Sequence, residues 1–206
     1  MELETENVYL RGVTLQDAND IYEYAKDPET GPKAGWPPHK TIQDTENIIK
    51  HWLGKECTEV VYAIVYKPNN KVVGTIGVAP LNTKQKDEKN LAVQNLLKEG
   101  KKLYEIGCTI GKEYWNKGIA TKTLKLMIDF LFKKQGADVI IVTHYAENIP
   151  SKIVQEKNGL KQIYAYERDK AWWTTDCKTM IVRAKTKEEW IQEKTKEKWN
   201  ERIKQV

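Results

Sequence analysis

Between residues 103 and 143 the chain runs through an apolar stretch, a small-residue turn, a long apolar stretch and a second short apolar stretch, an order that admits few folds. Leu103-Tyr104-Glu105-Ile106-Gly107-Cys108-Thr109-Ile110 reads as a strand, and Val139-Ile140-Ile141-Val142-Thr143 as another. Leu124 to Phe132 is apolar almost all round, as expected of a helix packed in a core. The unit is therefore βαβ, and its turn, Tyr114-Trp115-Asn116-Lys117-Gly118-Ile119-Ala120-Thr121, carries the interest. Side chains nearly vanish at Gly118 and Ala120, so an anionic group can approach the backbone. The free N–H groups of the next helix's first turn point at whatever sits there. Two common phosphate-binding loops are excluded by spacing. No G-x-G-x-x-G follows a strand, and Gly111-Lys112-Glu113 lacks both the earlier glycine and the Ser or Thr of a nucleoside-triphosphate loop.

Four segments together carry a more specific likeness: Glu105-Ile106-Gly107, the turn from Tyr114 to Thr121, Glu147-Asn148-Ile149-Pro150-Ser151, and Glu156-Lys157-Asn158-Gly159-Leu160. In this combination the chain resembles the Gcn5-related N-acetyltransferase (GNAT) superfamily, and within it the RimJ/RimL-like branch of ribosomal-protein N-terminal alanine acetyltransferases. The superfamily's cofactor signature, Q/R-x-x-G-x-G/A, falls on Trp115 to Ala120; Gly118 and Ala120 match, and Trp115 replaces the usual Gln or Arg. The likeness extends more loosely from about Val8 to Trp190. It implies an α/β fold with a mixed, mostly antiparallel central sheet flanked by helices and a splayed pair of parallel strands at the cofactor site. It also implies acetyl-coenzyme A as cofactor.

The remaining elements follow from periodicity and caps. Val8 to Val13 is expected as a first strand. Thr14 with Asp17, and Thr41 with Asp44, are helix-start pairs. The first helix should end near Asp27-Pro28, and the second should bury Ile42, Ile48, Ile49, Trp52 and Leu53. The prolines and glycines between Glu29 and Lys40 oppose regular structure. Val60–Tyr66 and Val72–Val78 form a hairpin about Pro68-Asn69-Asn70. Residues 83–102, rich in lysine, read against the superfamily pattern as an insertion, taken first as a flap and second as a partner contact; Leu91, Val93, Leu96 and Leu97 hint at a short helix within it. Asn148 caps a helix holding Ile153 and Val154, which Asn158-Gly159 closes. Leu160–Arg168 and Cys177–Ala184 pair, with Trp172-Trp173 on their connection. The resemblance implies that residues 1–185 form one acetyltransferase domain, with 186–206 expected as a helical extension. Its face of Ile191, Thr195, Trp199 and Ile203 is expected to dock on the body or on a second subunit, which leaves a homodimer open.

Composition narrows the class. At 206 residues, 40% hydrophobic and 31% charged, a single soluble domain is expected. No apolar stretch approaches the ~20 residues that cross a bilayer, and the polar start lacks a secretion signal, so a cytoplasmic, non-membrane protein is expected. Cys57, Cys108 and Cys177 are widely spaced, with only three histidines to join them; reduced thiols and no metal are expected. The net charge of +5 comes from 34 basic and 29 acidic residues that are interleaved, which argues against nucleic acid as the main partner.

The chemistry the likeness implies is demanding. An amine attacks a thioester only when neutral. At pH 7 about a tenth of an α-amine, but under about a thousandth of a lysine, is neutral. Glu105 is the candidate base, acting through a water; an exposed strand carboxylate in an ion pair is the competing reading. The superfamily often places a tyrosine where Gln155 stands, and glutamine cannot serve as an acid. Ser151 is then the candidate donor to the sulfur, against a plain first-turn serine. Asn148 matches a residue that binds the pantetheine arm, and backbone near Cys108 and Ile110 would bind that arm like another strand. The cofactor set is thus Cys108, Ile110, Asn116, Lys117, Gly118, Ile119, Ala120, Thr121, Asn148 and Ser151. Trp36 and His39, with Trp172 and Trp173, are candidates for acceptor recognition or, equally, loop anchors. The acceptor is a protein N-terminus, ribosomal in one version, or a small-molecule amine. A coenzyme A-binding regulator without catalysis, and a basic RNA- or ribosome-binding module, stay open as alternatives.

Overall fold

The structure, a computed structural model, describes residues 3–81, 91–169 and 176–203. The described strands are β1 (Leu3–Glu4), β2 (Val8–Gly12), β3 (Val60–Tyr66), β4 (Lys71–Leu81), β5 (Leu103–Ile110), β6 (Val139–Tyr145), β7 (Lys161–Arg168) and β8 (Lys178–Thr186). They form one sheet in the order β1-β2-β3-β4-β5-β6-β8-β7. Every neighbouring pair is antiparallel except β5 and β6. That one parallel pair is joined through α5 (Ile119–Lys134), as parallel neighbours require a crossover.

Alternation along the strands assigns the two faces. Ile64, Ile76, Ile106, Ile110, Ile140 and Val142 turn to one side and meet Ile119, Leu124, Met127, Ile128 and Leu131 of α5. Val61, Ala63 and Val65 turn to the other, under Ile21 and Tyr24 of α1 (Ala18–Ala25) and Ile49 of α3 (Ile42–Leu53). The register slips in two places, between β7 and β8 at Gln162/Tyr164 and between β3 and β4 at Ile64/Val65, where Ile64 faces Gly74 while Val65 faces Val72. The bulged residue, Val73, thereby offers its carbonyl to the Gly111 amide at 2.8 Å, which fixes the end of β5.

Both capping pairs are present. Asp17 takes the Thr14 amide at 2.8 Å, and Asp44 the Thr41 amide at 2.9 Å. Three details depart from the sequence reading. The supposedly irregular stretch holds a short helix, α2 (Thr30–Ala34); its Pro32 is the third residue, where no amide is needed, and Gly35 ends it at φ 95°. Leu53, at the last position of α3, remains 55% exposed, because Thr45 and Ile49 carry that helix's contact. Third, the face of Ile191, Trp199 and Ile203 on α7 (Lys187–Ile203) does not meet the body of the chain, which removes the first of its two expected docking surfaces and keeps the second, another subunit. The helix docks instead through Trp190, Lys194 and Glu197, an i, i+4, i+7 stripe. Trp190 packs on Phe132 and donates to Asp129 at 2.6 Å, and Lys194 and Glu197 pair with Asp129 and Lys125.

Within the described part of the presumed insertion, residues 91–102, α4 (Leu91–Lys98) puts buried Val93 in one cluster with Leu103, Val139, Ile141, Val182 and Ala184. Trp172 and Trp173 lie outside the described residues. Among the described residues no helix is long and apolar enough to cross a membrane.

Candidate active site

A fork in the sheet organises the site. β5 and β6 pair at Leu103↔Val139, Tyr104↔Ile140 and Glu105↔Ile141, and there the pairing stops. Both strands run on: β5 stays on β4 as far as Ile110, and β6 stays on β8 as far as Tyr145. Residues 106–110 and 142–145 thus face each other across a gap, with backbone groups that the sheet does not satisfy. Glu105 stands at the last paired position, half-buried, and its Oε1 accepts from Thr143 Oγ1 on the opposite prong at 3.1 Å.

Beyond the β5 prong comes the small-residue turn. Asn116 (φ 61°) and Gly118 (φ 72°) are both left-handed, a reversal that sets the N-terminus of α5 directly after Gly118. No side chain caps that terminus. The first intrahelical bond is Lys122 N–H to Gly118 O, so the amides of Ile119, Ala120 and Thr121 have no acceptor within the helix. A Cβ built on Gly118 meets nothing within 4 Å. The turn is firmly mounted: Trp115 Nε1 donates to Ile110 O at 2.7 Å, and Tyr114 packs on Tyr66 and accepts from Asn69 at 3.0 Å. Exposed Lys117 lies over the Tyr114 ring, 4.7 Å from its centroid.

Beyond the β6 prong, Asn148 caps α6 (Ile149–Lys157), accepting the Ser151 amide at 3.1 Å. Its Nδ2 donates to Lys33 O on α2 at 2.9 Å. Lys33 in turn lies over the Trp115 ring at 4.5 Å, and Lys112 pairs with Glu29. α2 therefore bridges the two prongs at the open end. Inside α6, Gln155 Nε2 donates to Ser151 Oγ at 3.0 Å.

Known proteins share the fold that carries this arrangement. The family described as acetyltransferase (GNAT) domain matches residues 7–161. The chain belongs to the GNAT family. An uncharacterized N-acetyltransferase, p20, of Bacillus licheniformis is 26% identical over 169 residues, spanning 79% of this chain and 86% of its own. A GNAT-family acetyltransferase from Bacillus anthracis superimposes with a TM-score of 0.71 at 21% identity, over 91% of this chain and 99% of its own. The microcin C7 self-immunity acetyltransferase MccE, solved in complex with acetyl-CoA and AMP, does so at 0.69 and 14% identity, covering 88% and 93%. The protein is an N-acetyltransferase, hence an acyltransferase, with the GNAT fold.

As a GNAT member it has individual features. Trp115, which stands where the signature has Gln or Arg, uses its indole N–H to tie the turn to the end of β5, so one lone pair of the Ile110 carbonyl is already engaged. Cys108 lies against the α5 side of the core, and burial pushes its thiol up to about 12, which leaves it without nucleophilic character. His39 is bound into its own loop. Its Nδ1 lies 2.8 Å from Thr45 Oγ1, its amide donates to Ala25 O, and its ring packs on Trp36 at 5.3 Å. Burial lowers its pKa, with Asp44 pulling the other way. Trp36 lies against Gly31, where an added Cβ would come within 2.6 Å of the ring. Both residues thus make contacts that hold the loop after α2, and both keep part of their surface exposed.

Two polar residues went unnoticed in the sequence. Thr143 is the one hydrogen-bonding side chain in the run Val139-Ile140-Ile141-Val142-Thr143, and on a strand with neighbours on both sides that is a signal. Tyr145, two residues on and on the same face, accepts from Arg168 at 3.4 Å and lies over Gly35; its sequence context carries no comparable signal.

Proposed function

We propose that the protein transfers an acetyl group from acetyl-coenzyme A to a primary amine, in the manner of the RimJ/RimL-like branch, with a protein N-terminus or a small-molecule amine as acceptor. The observation that carries this reading is the fork, which opens at Glu105 and ends at an uncapped helix N-terminus. The residues present suit the cofactor. Amides of Ile119 to Thr121, beside the open space over Gly118, match a diphosphate in geometry and sign. Unpaired backbone of residues 106–110 matches the amides of an extended pantetheine arm. Asn148, having donated one N–H to Lys33, keeps a second for that arm. MccE, which shares the fold, was solved with acetyl-CoA, and this supports acetyl-coenzyme A as the cofactor proposed here.

When bound, the cofactor would supply an acetyl thioester to the fork. Glu105, held by Thr143, accepts the proton of the incoming ammonium, directly or through one water, passes it to solvent, and then takes the second proton that the nitrogen sheds on becoming an amide. The new N–C bond forms as the C–S bond breaks. Ser151 Oγ–H delivers a proton to the departing sulfur and is reprotonated from solvent. A half-buried carboxylate is a weak base, better matched to an α-amine near pKa ~8 than to a lysine near ~10.4. That match favours an N-terminal amine.

Calorimetry with coenzyme A, followed by thiol release from acetyl-coenzyme A with a panel of N-terminal peptides and polyamines, tests the proposal. Binding with turnover on one amine class supports it; well-folded protein that binds neither form of the cofactor refutes it.

A further inference from the structure

Gln155 is 1% exposed, and its Oε1 has no hydrogen-bond partner among the described residues. A buried carboxamide with an unmet acceptor is worse for stability than a methionine of the same length, so its presence calls for a reason beyond packing. Its single side-chain bond, Nε2–H to Ser151 Oγ at 3.0 Å, supplies one. The two residues are one helical turn apart on α6, so the bond is built into the helix.

A hydroxyl has two lone pairs and one proton. A serine in a helix interior can give that proton to a carbonyl of the preceding turn, but Ser151, the third residue of α6, has no preceding turn to give it to. Here Oγ receives a hydrogen bond from Gln155, its own amide is satisfied by Asn148, and the hydroxyl proton has no acceptor among the described residues. We propose that Gln155 is the positioning residue for Ser151: by occupying one lone pair of Oγ it fixes the hydroxyl as a donor, with its proton kept for the sulfur of the thioester. Gln155 never touches the reacting atoms and acts through Ser151. The position at which the superfamily often carries an acidic tyrosine hydroxyl thus serves a neighbouring hydroxyl instead. The inference rests on the fork being the thioester site.

The test reads the ionisation of bound coenzyme A, which needs no acceptor. Calorimetric affinity is measured from about pH 6 to about pH 9, across the ordinary thiol value of ~8.5. In the wild type a donor aimed at sulfur favours the thiolate. Affinity should rise about tenfold over that range, equivalent to lowering the bound thiol's pKa by about one unit. Ser151→Ala and Gln155→Met should both flatten the rise, and Gln155→Met should melt no lower than wild type. With an active amine, Gln155→Met should lower kcat about five- to tenfold at unchanged KM for acetyl-coenzyme A. In the Ser151→Ala background it should change nothing further. A pH-dependent rise retained in Gln155→Met, or losses that add in the double variant, would overturn the inference. Should Gln155→Met not fold, Ser151→Ala alone decides, since an unaltered rise there removes the donor that Gln155 is meant to aim. Wild-type protein that fails to bind coenzyme A would instead overturn the functional reading itself.

Discussion

Replacing Gly118 with leucine separates the turn's role in binding from its role in folding. Gly118 sits at φ 72°, where a side chain costs about 1–2 kcal/mol. An added Cβ meets nothing within 4 Å, so no collision enlarges that figure. Against a domain stability of about 5–15 kcal/mol the variant stays folded, melting roughly 2–8 °C lower. The space the side chain enters is the space above the open amides. Displacing an anion from two of them, at about 1.5–3 kcal/mol for each charge-assisted bond, removes about 3–6 kcal/mol. Coenzyme A affinity should therefore fall by roughly two to four orders of magnitude.

The same helix contains its own control. Gly136, just past the C-terminal end of α5, has φ 66° and likewise nothing within 4 Å. Gly136→Leu should lower the melting temperature by a similar amount and leave binding alone. Gly118→Asn supplies the complement: asparagine tolerates the left-handed region, so stability should recover while binding stays lost. Differential scanning fluorimetry and calorimetry on the three variants suffice. If Gly118→Leu and Gly136→Leu bind coenzyme A equally well, the diphosphate does not sit at this turn.

Asp17, 5% exposed, accepts two bonds from Arg11 (2.8 and 2.6 Å) and two from Thr14 (2.8 and 3.1 Å), so Asp17→Asn should cost about 1–2 kcal/mol at neutral pH. Burial raises the Asp17 pKa, but the bonds from Arg11 and Thr14 outweigh it and the net shift is downward. Stability from this charge is thus present above the unfolded value of ~3.9 and is lost as pH falls through the folded value; urea midpoints of the two proteins should converge in acid, and a widening gap would contradict the argument. Trp115→Phe deletes the bond to Ile110 O, which should lower stability by about 1 kcal/mol and weaken coenzyme A binding a few-fold; unchanged affinity would show that the latch does not shape the turn. Glu105→Gln should lower the rate most where the acceptor amine is protonated. A loss of the same size at every pH would argue for a purely structural carboxylate.

What the sequence revealed, and what it hid, divides along the length scale of the interactions. The βαβ unit, both capping pairs, the β3–β4 hairpin and the Asn148 cap are encoded within a few residues of one another, and they stand where the sequence places them. The Val73 bulge was not legible, because it depends on the register of a partner strand rather than on any turn residue. α2 was hidden by its own composition: proline and glycine read as breakers unless one knows that they occupy the first turn and the stop of a five-residue helix. At the site, the turn and the Glu105 strand were visible as motifs, whereas the Glu105–Thr143 bond joins residues 38 apart and needs the fork to exist. The loop of Trp36 and His39 resisted for a different reason. An aromatic that clasps a ligand and one that pins a loop read alike in sequence, and the Gly31 and Thr45 contacts add the loop-pinning part alone.

The fork itself poses the physical question behind the site, since zipping β5 to β6 as far as Ile110 and Tyr145 would satisfy backbone groups that the open form leaves without strand partners. Three attachments oppose that closure. β5 is held at its far end by the Gly111 amide on Val73 O, away from β6. β6 is held by β8 as far as Tyr145↔Met180. α2 lies across the gap, bonded to Asn148 beyond one prong and in contact with Trp115 and Lys112 beyond the other, so closing the prongs would need it to leave. With self-pairing blocked, the exposed amides and carbonyls can gain partners only from water or from a ligand that is itself extended and amide-bearing. Each such bond contributes a modest ~0.5–1.5 kcal/mol, but several in a row set both direction and register for the arm they hold. It follows that affinity here resides in the backbone, so Cys108→Ala, which changes only a partly buried side chain packed on the core, should leave coenzyme A binding nearly intact while Gly118→Leu weakens it by the orders of magnitude worked out above.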